Sequence, residues 1–262
     1  MPVAISQKLF VGLLTVGLAL GACATRPTEP EAQAEFDKIN DPGEPTNRAV
    51  FDFNQAVDRN LFKPVAQAYQ DTVPGGVRRS VHNFLTNLDE PWIGFNDLLQ
   101  GNTTRALTAS TRFFINTTFG VAGFFDMANE WGLAHHDSDF GQTLGVWGIG
   151  EGPYITLPIF GPSTVRDTVG LAVAFAANPL TWMSGTAPLV AGFGRGGTQG
   201  IDERSRNIDT LDDLERNSLD FYATLRSVYR QHRTGMVEDA KSGNPNARVE
   251  FGYPKADEPA KK

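Results

Sequence analysis

Side chains able to do covalent or metal chemistry are few in this sequence. There is one cysteine, Cys23, and four histidines, His82, His135, His136 and His232. The run His135-His136-Asp137-Ser138-Asp139 offers metal-ligand atom types. A fixed metal site also needs ligands on rigid elements with supporting hydrogen bonds. Adjacent histidines in a loop are expected to be solvated, and no metal is expected. No Gly-x-Ser-x-Gly elbow is present, so the strained serine nucleophile of a lipase has no candidate. "GVWGIGEG" from Gly145 is rich in glycine like a phosphate loop. It lacks the Lys-Ser/Thr ending, and Pro153 interrupts any helix behind it, so neither nucleotide nor other cofactor is expected. Catalytic residues: none; the chain reads as a non-enzyme.

That leaves Cys23 and its acylation chemistry. Lys8 precedes an uncharged apolar run from Leu9 to Leu20, too short to span a bilayer and suited to a secretory signal. Leu20-Gly21-Ala22-Cys23 follows at once and resembles a bacterial lipobox, which places lipidation on Cys23. A lone cysteine in an exported chain has no internal disulfide partner. Several acyl chains on one residue hold a protein at a membrane, each buried methylene contributing about 0.8 kcal/mol. Ala24 and Thr25 follow, where an Asp would resemble the inner-membrane retention signal, so the outer membrane of a Gram-negative bacterium is expected.

The net charge of −7 and pI near 5.1 argue against nucleic acid as partner. Residues 1–22 read as the signal peptide and 23–41 as a lipidated flexible tether. Residues 42–241 read as one helical domain and 242–262 as a loose polar tail. Within the domain Val77, Val81, Phe84, Leu85 and Leu88 recur at helical spacing, with Pro74-Gly75-Gly76 before them and Pro91 after. Pro64 opens a short helix, and residues 104–118 form another. Ser163 is the expected N-cap of a helix over 164–177. Leu219, Tyr222, Leu225, Val228 and Tyr229 mark a late helix. Tyr154, Ile155 and Thr156 favour extended backbone, so a short β-hairpin near 152–158 is expected inside an otherwise all-α fold.

Charge is distributed unevenly. Phe140 to Gly194 holds only Glu151, Arg166 and Asp167, whereas a chain that is 20% charged would carry about eleven there. Helices of soluble domains keep a polar face, yet "VGLAVAFAA" from Val169 is apolar all round, suited to full burial or to lipid contact. The charge-poor stretch favours immersion of one side of the protein in acyl chains over a plain core. Trp131, Trp147, Tyr154 and Trp182 suit an interfacial belt. Irregular backbone at membrane depth must lie beside protein or line a wet cavity.

Several ordered blocks resemble the MlaA (VacJ-like) lipoproteins. They are Asp41-Pro42, "NRAVFDFNQAVD" from Asn47, "KPVAQAYQDTVP" from Lys63, "NFLTNLDEP" from Asn83 and "LLQG" from Leu98. "TRFFINTTFGVAGFFD" from Thr111 and "FGQTLGVWGIGEGPYITLPIFGPSTVRD" from Phe140 follow, with "NPNA" from Asn244 at the end. The glycine-rich stretch Gly185 to Gly200 departs from the family's wording. The resemblance implies a ring-shaped helical domain partly embedded in one leaflet of the outer membrane, on its periplasmic face, with an amphipathic central channel. It implies removal of mislocalised phospholipid from the outer leaflet, maintaining lipid asymmetry. It further implies association with a trimeric porin and hand-over to the periplasmic lipid-binding protein of the Mla pathway. The alternative is a structural lipoprotein scaffolding porins or envelope assembly. Given the resemblance, Gly145, Trp147, Gly148, Gly150, Gly152, Pro153 and Tyr154 are expected in a mobile loop beside the channel. Phe53 and Asn54 are expected on a helix supporting its closed state.

Overall fold

The computed structural model describes residues 39–183 and 186–243, with residues 28, 29, 31 and 33; the side chains of residues 187–189 are not among those described. The signal segment, Cys23, most of the tether and the tail beyond Gly243, with its "NPNA", lie outside the described residues.

Helix α1 (Glu44–Val57) opens with Pro45 in its first turn, where the missing N–H costs nothing. It runs through a π turn, Asp58–Phe62, directly into α2 (Lys63–Thr72). A long α3 (Gly75–Leu99) and α4 (Thr103–Thr118) follow, with Asn102 capping α4 by accepting from the Arg105 N–H at 3.3 Å. Next come the single turn α5 (Met127–Glu130) and α6 (Phe140–Val146), which starts with a capping box between Asp139 and Gln142. Strands β1 (Tyr154–Leu157) and β2 (Gly161–Thr164) pair antiparallel, Tyr154 opposite Thr164 and Leu157 opposite Gly161. Helices α7 (Val165–Ala177), α8 (Pro179–Trp182), α9 (Thr186–Arg206), α10 (Ile208–Asn217) and α11 (Phe221–Ser242) complete the chain. Gly243 ends α11 in the left-handed conformation, φ 69°.

The expected all-helical fold with one short hairpin is therefore found, with local corrections. Pro91 does not end the helix begun at Gly75; α3 continues to Leu99. An interior proline costs a helix about 3 kcal/mol, and tertiary anchoring beyond it offsets that. Ile93 is buried there, and Gly94 lets α3 lie against α4, where a Cβ would already touch Ala106 O at 3.4 Å. Thr164, not Ser163, caps α7, accepting from the Asp167 N–H at 3.2 Å. Ser163 instead belongs to β2. Leu219 lies outside the late helix and is fully exposed. From Thr186 onward the glycine-rich stretch is part of a continuous α9, although Gly192, Gly194, Gly196, Gly197 and Gly200 each cost about 1 kcal/mol relative to alanine.

Contacts between elements close on themselves. Helix α9 packs on α3, α3 on α6, α6 on α11, α11 on α10, and α10 back on α9. On the other side α6 packs on α7, α7 on α8 and α8 on α9. The glycines of α6 serve close approach: a Cβ on Gly170 of α7 would sit 2.4 Å from Gly141 N, and one on Gly145 would sit 2.8 Å from Val237 of α11.

Polarity is inverted relative to an ordinary globular domain. The largest fully buried side chains are Arg105, Arg112, Gln142 and Glu90, whereas Phe114, Phe119, Trp182, Val190 and Phe193 stand outside. A small apolar core persists where Phe51, Tyr154 and Tyr222 meet edge to face, with ring centroids 5.4 Å apart for Phe51–Tyr222. Among the described residues no helix is long and apolar enough to cross a membrane.

Candidate functional site: a latched hairpin beside a polar-walled ring

Asparagines at positions 47 and 54 are seven apart, two turns along one face of α1. Asn47 uses its side-chain amide like a strand edge. Its Nδ2 donates to Tyr154 O at 3.0 Å and its Oδ1 accepts from the Thr156 N–H at 2.9 Å. Asn54 repeats this at the tip, donating to Leu157 O at 2.9 Å and accepting from the Ile159 N–H at 2.7 Å. On the approach to the hairpin, Asn40 donates to Gly152 O at 2.7 Å and its carbonyl accepts from the Tyr154 N–H at 2.8 Å. The hairpin is thus bonded to α1 along its length. Asp41 anchors the start of α1, accepting from Asn47 at 2.7 Å, Tyr222 Oη at 2.5 Å and Arg226 at 2.6 Å. Burial, with the Asp41 carboxylate beside it, pushes the Tyr222 hydroxyl well above the usual range, so it stays a donor.

The residues expected in one mobile loop separate into three groups. Gly145 is buried in α6 and Tyr154 in the aromatic core, so Tyr154 is not part of an interfacial belt. Gly152, φ 68°, and Pro153 lead into β1; a Cβ on Gly152 would meet Val165 at 3.1 Å. Trp147, Gly148 and Gly150 are open, Gly148 at φ 91° with nothing near its missing Cβ. Trp147 is exposed and ties this turn to α3, its Nε1 donating to Leu99 O at 2.9 Å. Phe53 is exposed, while Asn54 is the residue bonded to the hairpin.

All three charges of the charge-poor stretch turn inward. Glu151 pairs with Arg230. Arg166 pairs with Asp167 at 3.1 Å, and Asp167 with Arg233 at 2.9 Å. Burial would raise Asp167, but Arg233, Tyr229 and Arg166 outweigh it and hold its carboxyl below the usual range. Asp139 adds a second carboxylate to Arg233 at 2.6 Å. From Phe140 to Gly194, every charge among the described residues is therefore buried or partly buried and ion-paired.

The interior is the reverse. Arg112 bonds Glu90 at 2.5 Å, Asp126 at 3.1 Å and the Leu133 carbonyl. His136, expected in solvent, is buried and bonded to Asp97 at 2.7 Å. His135 bonds Glu90 at 3.1 Å and Asp137 at 3.3 Å. Burial opposes its charge, but those two carboxylates outweigh burial and push it up to about 9, so it is cationic at neutral pH. The "HHDSD" run is accordingly an ion-pair device. Among the described residues one trio brings metal-ligand atom types together, His82, Asp202 and Glu203. Asp202 is already committed to His82 at 2.9 Å and Arg206 at 3.1 Å, which is ion-pair chemistry too.

Several ionisable groups stay open to water although protein surrounds them. Asp137 is 72% exposed as a side chain, yet it acts electrostatically on Asp89 of α3, Glu203 of α9 and His232 of α11. Groups on three separate helices of the closed circuit therefore lie within electrostatic reach of this exposed carboxylate, a polar wall drawn from α3, α9 and α11. This wall was missed at the sequence level because its members are scattered over more than a hundred residues without a motif.

Fold and site define a class: an amphipathic helical ring with a charged interior and an outer side poor in charge. The chain belongs to the MlaA lipoprotein family, whose model matches residues 39–235. It is similar to the intermembrane phospholipid transport system lipoprotein MlaA of Shigella flexneri, 36% identical over 252 residues, 93% of this chain and 96% of that relative. The protein of the same description from Haemophilus influenzae is 32% identical, covering 89% of this chain and 92% of the relative. A solved structure described as the structural basis for maintenance of bacterial outer membrane lipid asymmetry superposes with a TM-score of 0.67. It is 35% identical and covers 75% of this chain and 98% of that one.

Proposed function

We propose that this chain is an outer-membrane lipoprotein that takes mislocalised phospholipid from the outer leaflet through the polar space of its ring and releases it to a periplasmic carrier. The observation that carries the reading is the inverted polarity. A phospholipid in the wrong leaflet meets two barriers. Its ionised headgroup is costly in hydrocarbon, by several kcal/mol when uncompensated. Its tails are costly in water, about 0.8 kcal/mol per methylene. A wall carrying Asp89, Asp137, Glu203 and Arg195 offers the headgroup a polar path. An outer face bearing Phe114, Phe119, Trp182 and Phe193 belongs in acyl chains. No bond is made or broken, so no nucleophile or cofactor is needed.

In this reading Cys23 carries the acyl anchor, and the protein sits in the inner leaflet facing the periplasm. The hairpin and the open turn at Trp147, Gly148 and Gly150 gate the passage, with Asn54 holding the gate. A trimeric porin steadies the ring, and the periplasmic lipid-binding protein of the Mla pathway receives the lipid. The test is outer-leaflet phospholipid in cells lacking this protein, complemented with the wild-type chain or Cys23→Ala. Outer-leaflet phospholipid should rise on deletion and fall only with the wild-type copy. Unchanged lipid with disturbed porin assembly would instead fit a scaffold.

A further inference from the structure

The hairpin is held from outside at both ends. At the tip the hold is Asn54 of α1. At the base it is the end of the tether. Asn40 donates its side-chain N–H to Gly152 O at 2.7 Å, and its own carbonyl accepts the Tyr154 N–H at 2.8 Å. Asn40 sits at a φ of 52°, a left-handed conformation that asparagine tolerates better than most side chains.

Two further side chains lock this join. Arg230 of α11 donates from Nη1 to the Ile39 carbonyl at 2.7 Å and from Nε to Glu151 at 3.1 Å. One guanidinium thus holds the tether's end and the approach to the hairpin together. Asn47 Nδ2 is shared between Asp41 Oδ1 at 2.7 Å and Tyr154 O at 3.0 Å. Both backbone polar groups of Tyr154 are therefore engaged beside the tether, the N–H by Asn40 and the carbonyl by the amide that also binds Asp41. Such bonds matter because a two-stranded hairpin is marginally stable by itself, so its position depends on what grips it from outside.

Resting on the reading of the hairpin as the gate, we infer that residues 39–41 are a strap closing the base of that gate, which makes the end of the tether a moving part of the passage as well as a leash. A hairpin that swings away from α1 with its tip still latched must first break the Asn40 bonds and part Ile39 from Glu151 at Arg230. The strap acts separately from the anchor: it needs residues 39–41 in place and does not need an acyl chain on Cys23.

The experiment compares three full-length chains in phosphatidylethanolamine proteoliposomes: wild type, Cys23→Ala and Asn40→Gly/Arg230→Met. Glycine adopts positive φ freely, so the double variant removes side-chain bonds without backbone strain and spares the buried Asp41. Amide exchange at Tyr154 should be about tenfold or more faster in the double variant, as expected for the loss of such bonds. Ile159 at the tip and Ala66 in α2 should keep wild-type protection, and Cys23→Ala should match wild type at all three. If Ala66 also loosens in the double variant, Asn40→Gly alone is read, with about threefold faster exchange expected at Tyr154. Unchanged exchange at Tyr154, or a Cys23→Ala chain loosened as much as the strap variant, overturns the inference. In cells the strap variant should raise outer-leaflet phospholipid about threefold or more over wild type, because a passage that does not close, and that nothing in this chain drives, lets lipid run both ways. A loosened Tyr154 with wild-type outer-leaflet lipid overturns the strap as part of a gate. Wild-type outer-leaflet lipid in cells lacking the protein overturns the transport reading and leaves the strap contact standing.

Discussion

Asn54 Oδ1 accepts the backbone N–H of Ile159 at 2.7 Å, and Ile159 holds a φ of 70°. A β-branched residue in the left-handed region is strained, and such strain persists only where surroundings over-determine it. Here a side chain two turns from the start of the hairpin contact, on a different element, fixes the tip. Asn54→Ala should expose the tip and cost about 1–2 kcal/mol. Amide exchange at Ile159 should speed up by tenfold or more, with Ala66 in α2 unaffected. Unchanged protection at Ile159 would show that the tip is held by something other than Asn54.

The same strain gives a compensating change. Glycine adopts positive φ without penalty. Ile159→Gly in the Asn54→Ala background should recover about 1 kcal/mol or less by thermal melting, even as amide exchange stays fast. The two readouts separate backbone strain from the latch itself.

Arg112 is 1% exposed and Glu90 0%, and they meet at 2.5 Å. Removing one partner of a buried pair leaves the other uncompensated. Arg112→Leu should destabilise by about 3–5 kcal/mol in urea titrations, while Arg112→Leu/Glu90→Leu should lose less than the single change. A double variant at least as unstable as the single one would mean the pair is not the controlling contact and that the Asp126 and Leu133 bonds dominate.

His135 links the wall to pH. Its folded pKa of about 9 lies above its ordinary value of 6.5, raised by Asp137 and Glu90 against burial. The stabilisation is therefore fully present below about pH 6.5 and is lost as pH rises through 9. Screening at a side chain this open keeps the effect to about 1 kcal/mol or less. Melting curves from pH 6 to 10 should show this decline, and His135→Gln should flatten it. Identical profiles for the two proteins would remove His135 as the cause.

How far the sequence reached can be judged at particular residues. Helical periodicity located α3, α4 and α11, and Pro64 and an N-cap signal located α2 and α7, but on α4 the apolar Leu107 and Phe114 face outward while Arg105, Arg112 and Asn116 are buried. Tyr154, Ile155 and Thr156 announced β1, although β2 lies beyond the expected hairpin. The resemblance brought Asn54 to notice, but only the structure joins it to Leu157 and Ile159. Periodicity failed at Pro91, where buried Ile93 and the close approach at Gly94 override local preference. It failed again at His136, read as a solvated loop residue, because its partner Asp97 is distant in sequence. Glu151, Arg166 and Asp167 were noticed for their rarity, while their inward direction is set by Arg230 and Arg233 of α11, far along the chain.

That inward direction makes the outer face testable apart from the acyl anchor. Trp182 is 72% exposed and Phe193 77%, both in the charge-poor stretch. Moving each ring into hydrocarbon is worth about 2 kcal/mol, roughly thirtyfold in partitioning. In a Cys23→Ala background, where no acyl chain contributes, the protein should still float with phosphatidylethanolamine vesicles. Adding Trp182→Asp and Phe193→Asp should reduce flotation at least tenfold. Neither ring is buried in the fold, so stability should move by only about 0.5 kcal/mol. A large loss of stability would mean these rings pack against protein, and unchanged flotation would mean that this face does not meet lipid.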